Sequence, residues 1–333
     1  MEPLLILLII SIVACYLYAF IGGFTDAAQA IASAIGSRSI SPIKAVLMAG
    51  ILEIVGALTG TAVALTIGKG IVSLELVSLL TVPAAIFGAL SWSLFTYRFG
   101  IPVSETHGLI GGIIGAALAT AGTTAVINWA GLTKILIAIL AAPTLGFIGG
   151  FFLMGVVYRS LHSASASKMT SLFKNLQRLA AGYLAFSHGR NDAQKPMGIL
   201  VMALALYYGW EEPTVPLWVI LTVGAVAGFG VACGGWRIIK TLGMKITPLR
   251  PEQGFVSDFS AGCVLQFASF FGIPVSTTQV DTSAVVGVGA VKHLSFVRWE
   301  ICKDILISWI LTLPATIFFG WFFGKLLSIV FLI

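Results

Sequence analysis

Apolar residues occupy this chain in long uninterrupted runs. Seven stretches of at least 20 residues contain no charged side chain: 3–25, 76–97, 106–133, 135–158, 213–236, 259–280 and 305–324. A helix crosses a bilayer with about 20 apolar residues. The pattern predicts spans near 4–22, 43–68, 75–97, 132–158, 213–236, 254–272 and 303–331, with broken segments between them. We therefore predict an all-α membrane protein of roughly ten transmembrane segments, some of them broken or re-entrant.

Composition narrows the class of protein further. The chain is 58% hydrophobic and only 10% charged, against about 25% charged residues in soluble domains. This excludes a soluble enzyme, a secreted disulfide scaffold and a nucleic-acid-binding domain. The net charge of +6 is explained by basic cytoplasmic loops, so the expected surroundings are a lipid bilayer and not nucleic acid.

Two basic loops indicate the orientation in the membrane. The polar stretch 159–178 and the loop 237–250 are rich in Lys and Arg, and Glu211–Glu212 forms an acidic loop. The positive-inside rule places the basic loops in the cytoplasm and the acidic loop outside. We further expect an amphipathic helix at the membrane surface over 166–178.

The chain contains an internal repeat. Residues 99–106 read FGIPVSET and residues 271–278 read FGIPVSTT, identical at seven of eight positions. Upstream of each copy lies an acidic motif, TDAAQ at 25–29 and NDAQK at 191–195, and the Pro of FGIPVS follows the Asp by 76 and 82 positions. We predict two repeats, 1–158 and 179–333, joined by a basic cytoplasmic segment at 159–178. We expect the repeats to be inverted.

Duplication in a polytopic protein is typical of secondary transporters. Their sites form where the repeats meet, on helices interrupted by Gly or Pro. Each FGIPVS copy places Gly and Pro two residues apart in an apolar stretch, and Pro breaks a helix there.

Embedded acids are the first candidates for chemistry, because a charge inside the membrane is costly. Asp26 and Asp192, with oxygens from Thr25, Gln29 and Asn191, would suit Na⁺ or accept a proton. The alternative is a helix-capping role for both carboxylates. Glu53 and Asp258 are further candidates for a cation or a proton.

Hydroxyl groups after each Pro are candidates for binding an oxyanion. Two helix N-termini would direct N–H groups at one point, while the alternative is ordinary capping. Arg190 and Lys195 either contact the anion or pair with Asp192. The hydroxyl candidates are Ser104, Thr106, Ser276, Thr277 and Thr278, and the accessory candidates near them are Glu105, His107 and Gln279.

Other classes of function fit less well. The chain contains no hydrolase, zinc-protease, P-loop or dinucleotide motif, so we predict that it is not an enzyme. An anion channel is the alternative from a different class, but a continuous pore does not obviously need duplicated broken helices with buried acids.

These motifs resemble those of the inorganic phosphate transporter (PiT) family over nearly the whole chain. GGFTDAAQAIASAIGSRSISP and FSHGRNDAQKPMGI resemble its two signatures, and FGIPVSETHGLIGG and FGIPVSTTQVDTSAVVGVG resemble its paired elements. GGWRIIKTLGMKITPLRPEQGF resembles the segment that precedes the last of these. The compact length is similar to that of bacterial members.

The resemblance implies phosphate symport with Na⁺ or H⁺ by an inverted-repeat homodimer in the cell membrane, with no cofactor beyond the co-transported cation. Asp26 and Asp192 would serve the cations, assisted by Asn191 and Gln194, and the hydroxyl candidates would hold phosphate. Gln29, Glu105, Arg190 and Gln279 depart from the family pattern. Sulfate or another oxyanion therefore stays open as the substrate.

Overall fold

The computed structural model describes residues 3–26, 28–161, 166–246, 249–291 and 294–331. Within these ranges the chain is helical, and its only β-type pairing is an isolated bridge between Val72 and Ile127. The helices are α1 Pro3–Asp26, α2 Ala28–Gly36, α3 Pro42–Ala57, α4 Ala62–Gly70, α5 Thr81–Phe99, α6 Glu105–Ala121, α7 Trp129–Ser160, α8 Ala166–Asp192, α9 Gln194–Tyr208, α10 Leu217–Cys233, α11 Trp236–Lys240, α12 Pro251–Phe270, α13 Thr277–Ala290 and α14 Trp299–Phe331. The predicted all-α class is confirmed.

The molecule buries several charged and polar side chains among its apolar core residues and exposes large apolar side chains on its surface. Lys195, Glu53 and Asp258 are at most 1% exposed, whereas Leu140 is 74% and Ile329 72% exposed. A soluble protein arranges these residue types the other way round. The arrangement is the one expected of a membrane protein, in which lipid covers the apolar surface and polar groups find partners inside.

Among the residues that the structure describes, three helical stretches are long and apolar enough to cross a membrane, namely Pro3–Gly36, Trp129–Ser160 and Trp299–Phe331. Two bent pairs, α3 with α4 at 69° and α10 with the stretch Trp236–Met244 at 55°, raise this number to five if each pair is one span. Of the half-helices α6 and α13, α13 with 14 residues is too short to cross a bilayer alone, and α6 with 17 is at the lower limit of a spanning helix. The figure of roughly ten segments stays a prediction.

The element order repeats within the chain. Helices α5, α6 and α7 contain 19, 17 and 32 residues, and α12, α13 and α14 contain 20, 14 and 33. Both long helices carry an internal proline, Pro143 in α7 and Pro314 in α14. We call α1–α7 the first series and α8–α14 the second series.

The two series exchange their long helices. Helix α7 packs on α13 of the second series, and α14 packs on α6 of the first. Glycine residues allow the paired helices to approach each other closely. Gly150 lies against the Ala284 carbonyl and Gly115 against the Ile317 carbonyl, and neither contact leaves room for a Cβ atom. Helix α1 packs on α10 and α3 on α8 in the same reciprocal manner. Neither series is therefore packed by itself.

One expected element has a different form. The surface helix predicted over 166–178 is the first half of α8, which continues unbroken to Asp192. Gln177 is fully buried and accepts hydrogen bonds from the Ser37 and Ser39 hydroxyls at 2.6 and 2.5 Å. These distant partners draw the segment into the helix bundle. Residues 162–165 of the predicted connecting segment lie outside the described residues, and its role as a boundary stays a prediction.

Candidate functional site

The two FGIPVS copies meet as a reciprocal pair. Each preceding helix ends at a glycine in the left-handed region, Gly100 with φ 67° and Gly272 with φ 65°, a conformation that favours glycine. The Thr106 hydroxyl donates to the Val275 carbonyl at 2.7 Å, and the Thr278 hydroxyl donates to the Val103 carbonyl at 2.8 Å. The first turns of α6 and α13 are thereby held next to each other.

The glycine at the start of each broken element is also bound from the opposite series. The Thr66 hydroxyl of α4 donates to the Gly272 carbonyl at 2.8 Å. The Thr241 hydroxyl, just after α11, donates to the Gly100 carbonyl at 3.0 Å. We call these two hydrogen bonds the threonine latches.

Ser104 and Ser276 cap the half-helices. The Ser104 hydroxyl oxygen accepts from the His107 N–H at 3.1 Å, and the Ser276 oxygen accepts from the Gln279 N–H at 3.3 Å. The capping role considered from the sequence is therefore present. It uses a lone pair of each oxygen and leaves each hydroxyl proton available for a further acceptor.

The acids of the two repeated motifs converge at the start of α13. Asp26 Oδ1 accepts from Gln29 Nε2 at 2.7 Å. It also lies 2.8 Å from the Thr278 hydroxyl oxygen, whose single proton can go either to this carboxylate or to the Val103 carbonyl. The Thr277 hydroxyl lies 3.0 Å from Asp192 Oδ2 and 3.4 Å from Asp26 Oδ2. Because a hydroxyl has one proton, it donates to one carboxylate at a time.

Asp192 is the centre of a buried charge network. Lys195 Nζ lies 2.6 Å from Asp192 Oδ1, and His188 Nε2 lies 3.3 Å from Asp192 Oδ2. The other ring nitrogen, His188 Nδ1, lies 2.9 Å from Glu53 Oε2. Of the two roles considered for Lys195, the structure contains the ion pair. Ligand atoms of Asp26, His188 and Asp192 lie within 4.8 Å of one another, close enough to share one cation.

Glu105 lies in the same region and is not paired with Arg190. Its carboxylate accepts from the Thr25 hydroxyl at 3.1 Å and from the Ser93 hydroxyl. Arg190 instead donates from Nη1 to Gln266 Oε1 at 2.7 Å. The sequence suggested that Arg190 either contacts the anion or pairs with Asp192, and in this structure the described partner of its side chain is a neutral amide on α12.

A small cavity of about 20 Å³ lies among these groups. Its lining includes Glu53, Glu105, His188, Asp192 and Lys195. A space of this size holds about one water molecule. The buried charges thus surround a pocket of the size of a single water or a small cation.

The amides of the second motif hold the surrounding backbone. Asn191 Nδ2 donates to Ser269 Oγ at 2.9 Å and to the Ile273 carbonyl at 3.3 Å. Gln194 Oε1 accepts from the N–H groups of Val63 and Ala64 at 2.8 and 3.1 Å, and so caps α4. The Asn191 side-chain oxygen is buried without a partner among the described residues, whereas the Gln194 oxygen is already engaged.

The remaining candidates have hydrogen-bond partners of their own. Asp258 is fully buried and accepts from the hydroxyls of Ser33 and Ser257. Gln279 Nε2 lies 3.5 Å from His107 Nδ1, at the start of the paired half-helices. Asp258 therefore forms a polar group with α2 and α12, and its assignment to cations stays a prediction.

The sequence alone did not identify His188 as a bridge between two carboxylates. The available signal was its position four residues before Asp192, which places both side chains on one helix face. Ser93, which binds Glu105, had no such signal, because it lies in α5 inside an apolar run.

This architecture defines a class of protein. A helical membrane protein whose paired broken helices meet at buried, charge-bearing groups has the construction of a secondary transporter. The sequence matches the Phosphate transporter family at residues 22–170 and again at 159–320. The chain belongs to the phosphate transporter family, and it is a transporter and not an enzyme.

Individual relatives agree with this membership. The chain is 38% identical over 324 residues to a probable low-affinity inorganic phosphate transporter of Bacillus subtilis, covering 96% of this chain and 97% of the relative. It is 39% identical to a protein of the same name from Rhizobium meliloti, over 92% and 93% of the two chains. A solved structure of a sodium-dependent phosphate transporter is similar with a TM-score of 0.90 and 27% identity, covering 97% of this chain and 99% of that one.

Proposed function

We propose that this chain is a phosphate symporter driven by a cation gradient, Na⁺ before H⁺, and that it works by alternating access. Phosphate as substrate is supported by the family and by the names of its relatives. Sodium is supported by the similarity to a solved transporter that is described as sodium-dependent. The observation that carries the proposal is the meeting of Asp26 and Asp192 at the first turn of α13.

Charge explains why an anion would need a cation here. Asp26, Asp192, Glu53 and Glu105 are buried together, and among the described residues of this cluster Lys195 and His188 are the groups that can balance them. Adding phosphate to a group with excess negative charge is unfavourable in a low-dielectric interior. Bound Na⁺ or H⁺ would remove that repulsion, so phosphate would bind only together with the cation.

The anion is proposed to bind at the first turns of α6 and α13. Helix N-termini attract anions through their free N–H groups. Hydroxyl protons would come from Ser104, Thr106, Ser276, Thr277 and Thr278, with Lys195 and Arg190 as the nearby cationic candidates. The cations would use Asp26, Thr25, Gln29, Asn191, Asp192, Gln194, Glu53 and Asp258, with Glu105, His107 and Gln279 as accessory groups.

We further propose that the two series are inverted repeats within roughly ten membrane segments. The reciprocal threonine hydrogen bonds and the exchange of α7 and α14 support a two-fold relation between the series. Alternating access would then open one broken element and close its counterpart.

The chain is proposed to act as a homodimer in the cell membrane. The family resemblance supports this, and exposed apolar side chains on α7 and α14 suit lipid or a second copy. Cross-linking in native membranes followed by mass measurement would test the assembly. A purely monomeric species would contradict it.

Uptake of labelled phosphate into proteoliposomes tests the central proposal. An inward Na⁺ gradient and an inward proton gradient would be imposed separately, each with and without excess unlabelled sulfate. We expect accumulation driven by Na⁺ and insensitive to sulfate. Uptake driven only by protons would move the coupling to H⁺, and strong competition by sulfate would favour a broader oxyanion symporter.

Downhill flux without accumulation under either gradient would favour an anion channel. Protein-free liposomes and the Asp26→Asn variant provide the background. No flux of phosphate under any condition would overturn the proposal.

A further inference from the structure

A second, larger cavity lies beside the second broken element. It has a volume of about 500 Å³ and is enclosed by α4, the start of α7 and residues 271–274. Lys69 and Lys134 both line it, and its described lining residues include no acid. The charged groups of this lining are therefore both positive.

Local structure brings the two lysines to the same space. Lys69 follows Thr66 by three residues on α4, so both lie on the face that binds the Gly272 carbonyl. On α7, Gly131 packs directly on the Gly70 carbonyl, where a Cβ has no room. This contact places Lys134, one turn further along α7, opposite the end of α4.

The floor of the cavity is the backbone of the proposed anion site. Gly272, Ile273 and Pro274 line the cavity, and Ser276, the N-cap of α13, follows two residues later. The floor is fixed by Thr66 on one side and by Asn191, whose amide donates to the Ile273 carbonyl, on the other.

The duplication does not account for the lysine pair. Counting from the counterpart latches Thr66 and Thr241, Lys69 corresponds to Met244. Counting from the first residues of α7 and α14, both Trp, Lys134 corresponds to Asp304. Both lysines therefore lie in the first series, and neither has a lysine at the corresponding position of the second series.

Neighbouring loops indicate which side of the membrane this cavity faces. Lys69 and Asn128 also line an adjoining cavity that extends to Glu75 and Glu211. The positive-inside rule places the acidic loop at Glu211 outside the cell. The cavity floored by Gly272 then opens to the exterior.

We propose that this cavity is the external vestibule for phosphate and that Lys69 and Lys134 attract the anion to the broken helix of the second series. This inference rests on the proposed function. A cleft lined by charge of one sign focuses its field and raises the local concentration of counter-ions. The lysines would accelerate capture of phosphate from outside without taking part in the later reorientation.

Neutralising Lys134 is the first test, because Lys69 also faces the acids of the adjoining cavity. In proteoliposomes with a fixed Na⁺ gradient and low ionic strength, Lys134→Gln should raise the phosphate KM about three- to tenfold at unchanged maximal rate. Raising the ionic strength with choline chloride should make the KM values of the variant and the wild type converge, because salt screens exposed charges. Lys134→Arg and Lys325→Gln, an exposed lysine of α14 outside this lining, should behave like the wild type.

Chemical modification separates charge from structure. In a Lys134→Cys variant lacking the four native cysteines, an impermeant cationic methanethiosulfonate should lower the KM towards the wild-type value. The anionic sulfonatoethyl reagent should raise it, and both should react only from the external side. Equal effects of the two reagents, or reaction only from the cytoplasmic side, would overturn the vestibule.

Failure of this inference can be told apart from failure of the proposed function. If the wild type shows no cation-driven phosphate uptake, the proposed function fails. If the wild type transports and Lys134→Gln keeps its KM at low ionic strength, the vestibule alone is refuted.

Discussion

Individual serine hydroxyl groups at this site can cap a helix and still donate a hydrogen bond. Ser104 and Ser276 accept a backbone N–H as helix caps, and each retains a proton to donate. The sequence posed capping and anion binding as alternatives. The geometry shows that a serine in this position can do both, because one task uses the oxygen lone pair and the other the proton.

We expect Ser104→Ala combined with Ser276→Ala to raise the phosphate KM sharply. Loss of two caps should also cost about 1 kcal/mol each in stability. Uptake kinetics and thermal unfolding in detergent would be measured together. Thr123→Ala removes a capping hydroxyl elsewhere and should leave the KM unaltered; an unaltered KM in the double variant would move the anion site elsewhere.

We expect Asp26→Asn to abolish cation-driven uptake while the protein still inserts in the membrane. The amide is isosteric but removes the negative charge. Its oxygen can still accept from Gln29 and Thr278, which both contact Asp26 Oδ1, so the loss of charge is the change that is tested. Accumulation of labelled phosphate is the measurement. Glu75→Gln, an exposed acid, should retain uptake, and full accumulation by Asp26→Asn would disprove its role in coupling.

Some residue contacts could be foreseen and others could not. The pairing of Lys195 with Asp192 follows from their separation of three residues, across the short turn between the end of α8 and the start of α9. The partner of Arg190 could not be predicted from the sequence, because Gln266 lies 76 residues away on another helix. The sequence thus indicated which acids are buried, whereas the fold decides which partners they meet.

Helices depend on contacts across the two series. The FGIPVS breaks were predictable, since Gly and Pro end and restart a helix locally. The break between α3 and α4, which lies inside the span expected at 43–68, could not be predicted from the local sequence. There Gln194 of the other series caps the N–H groups of Val63 and Ala64, and no local pattern indicates such a partner.

We expect Gly115→Ala to destabilise the protein by about 1–3 kcal/mol, because its methyl group would overlap the Ile317 carbonyl of α14. Thermal unfolding in detergent is the measurement. Gly155→Ala is the matched control, since nothing lies within 4 Å of its Cβ position and helix propensity favours alanine by about 0.5–1 kcal/mol. Equal unfolding temperatures for the two variants would show that α6 and α14 tolerate separation.

The whole molecule is one interlocked body and not two joined halves. We expect fragments 1–162 and 163–333 to co-purify when expressed together, because α7 and α14 each pack on the other series. Either fragment alone should be degraded or aggregate. Affinity capture through a tag on one fragment, analysed by mass, is the measurement, and two stable separate monomers would contradict the packing.

The threonine latches carry a consequence for the direction of transport. Thr66 and Thr241 hold the two glycine carbonyls with bonds of 2.8 and 3.0 Å, the same chemistry at nearly the same length. A neutral hydrogen bond contributes about 1 kcal/mol, so releasing one latch while keeping the other changes the energy little. Latches of similar strength would give the outward-facing and inward-facing states similar populations, while the gradients of the transported solutes, and not the protein, would set the direction of net flux.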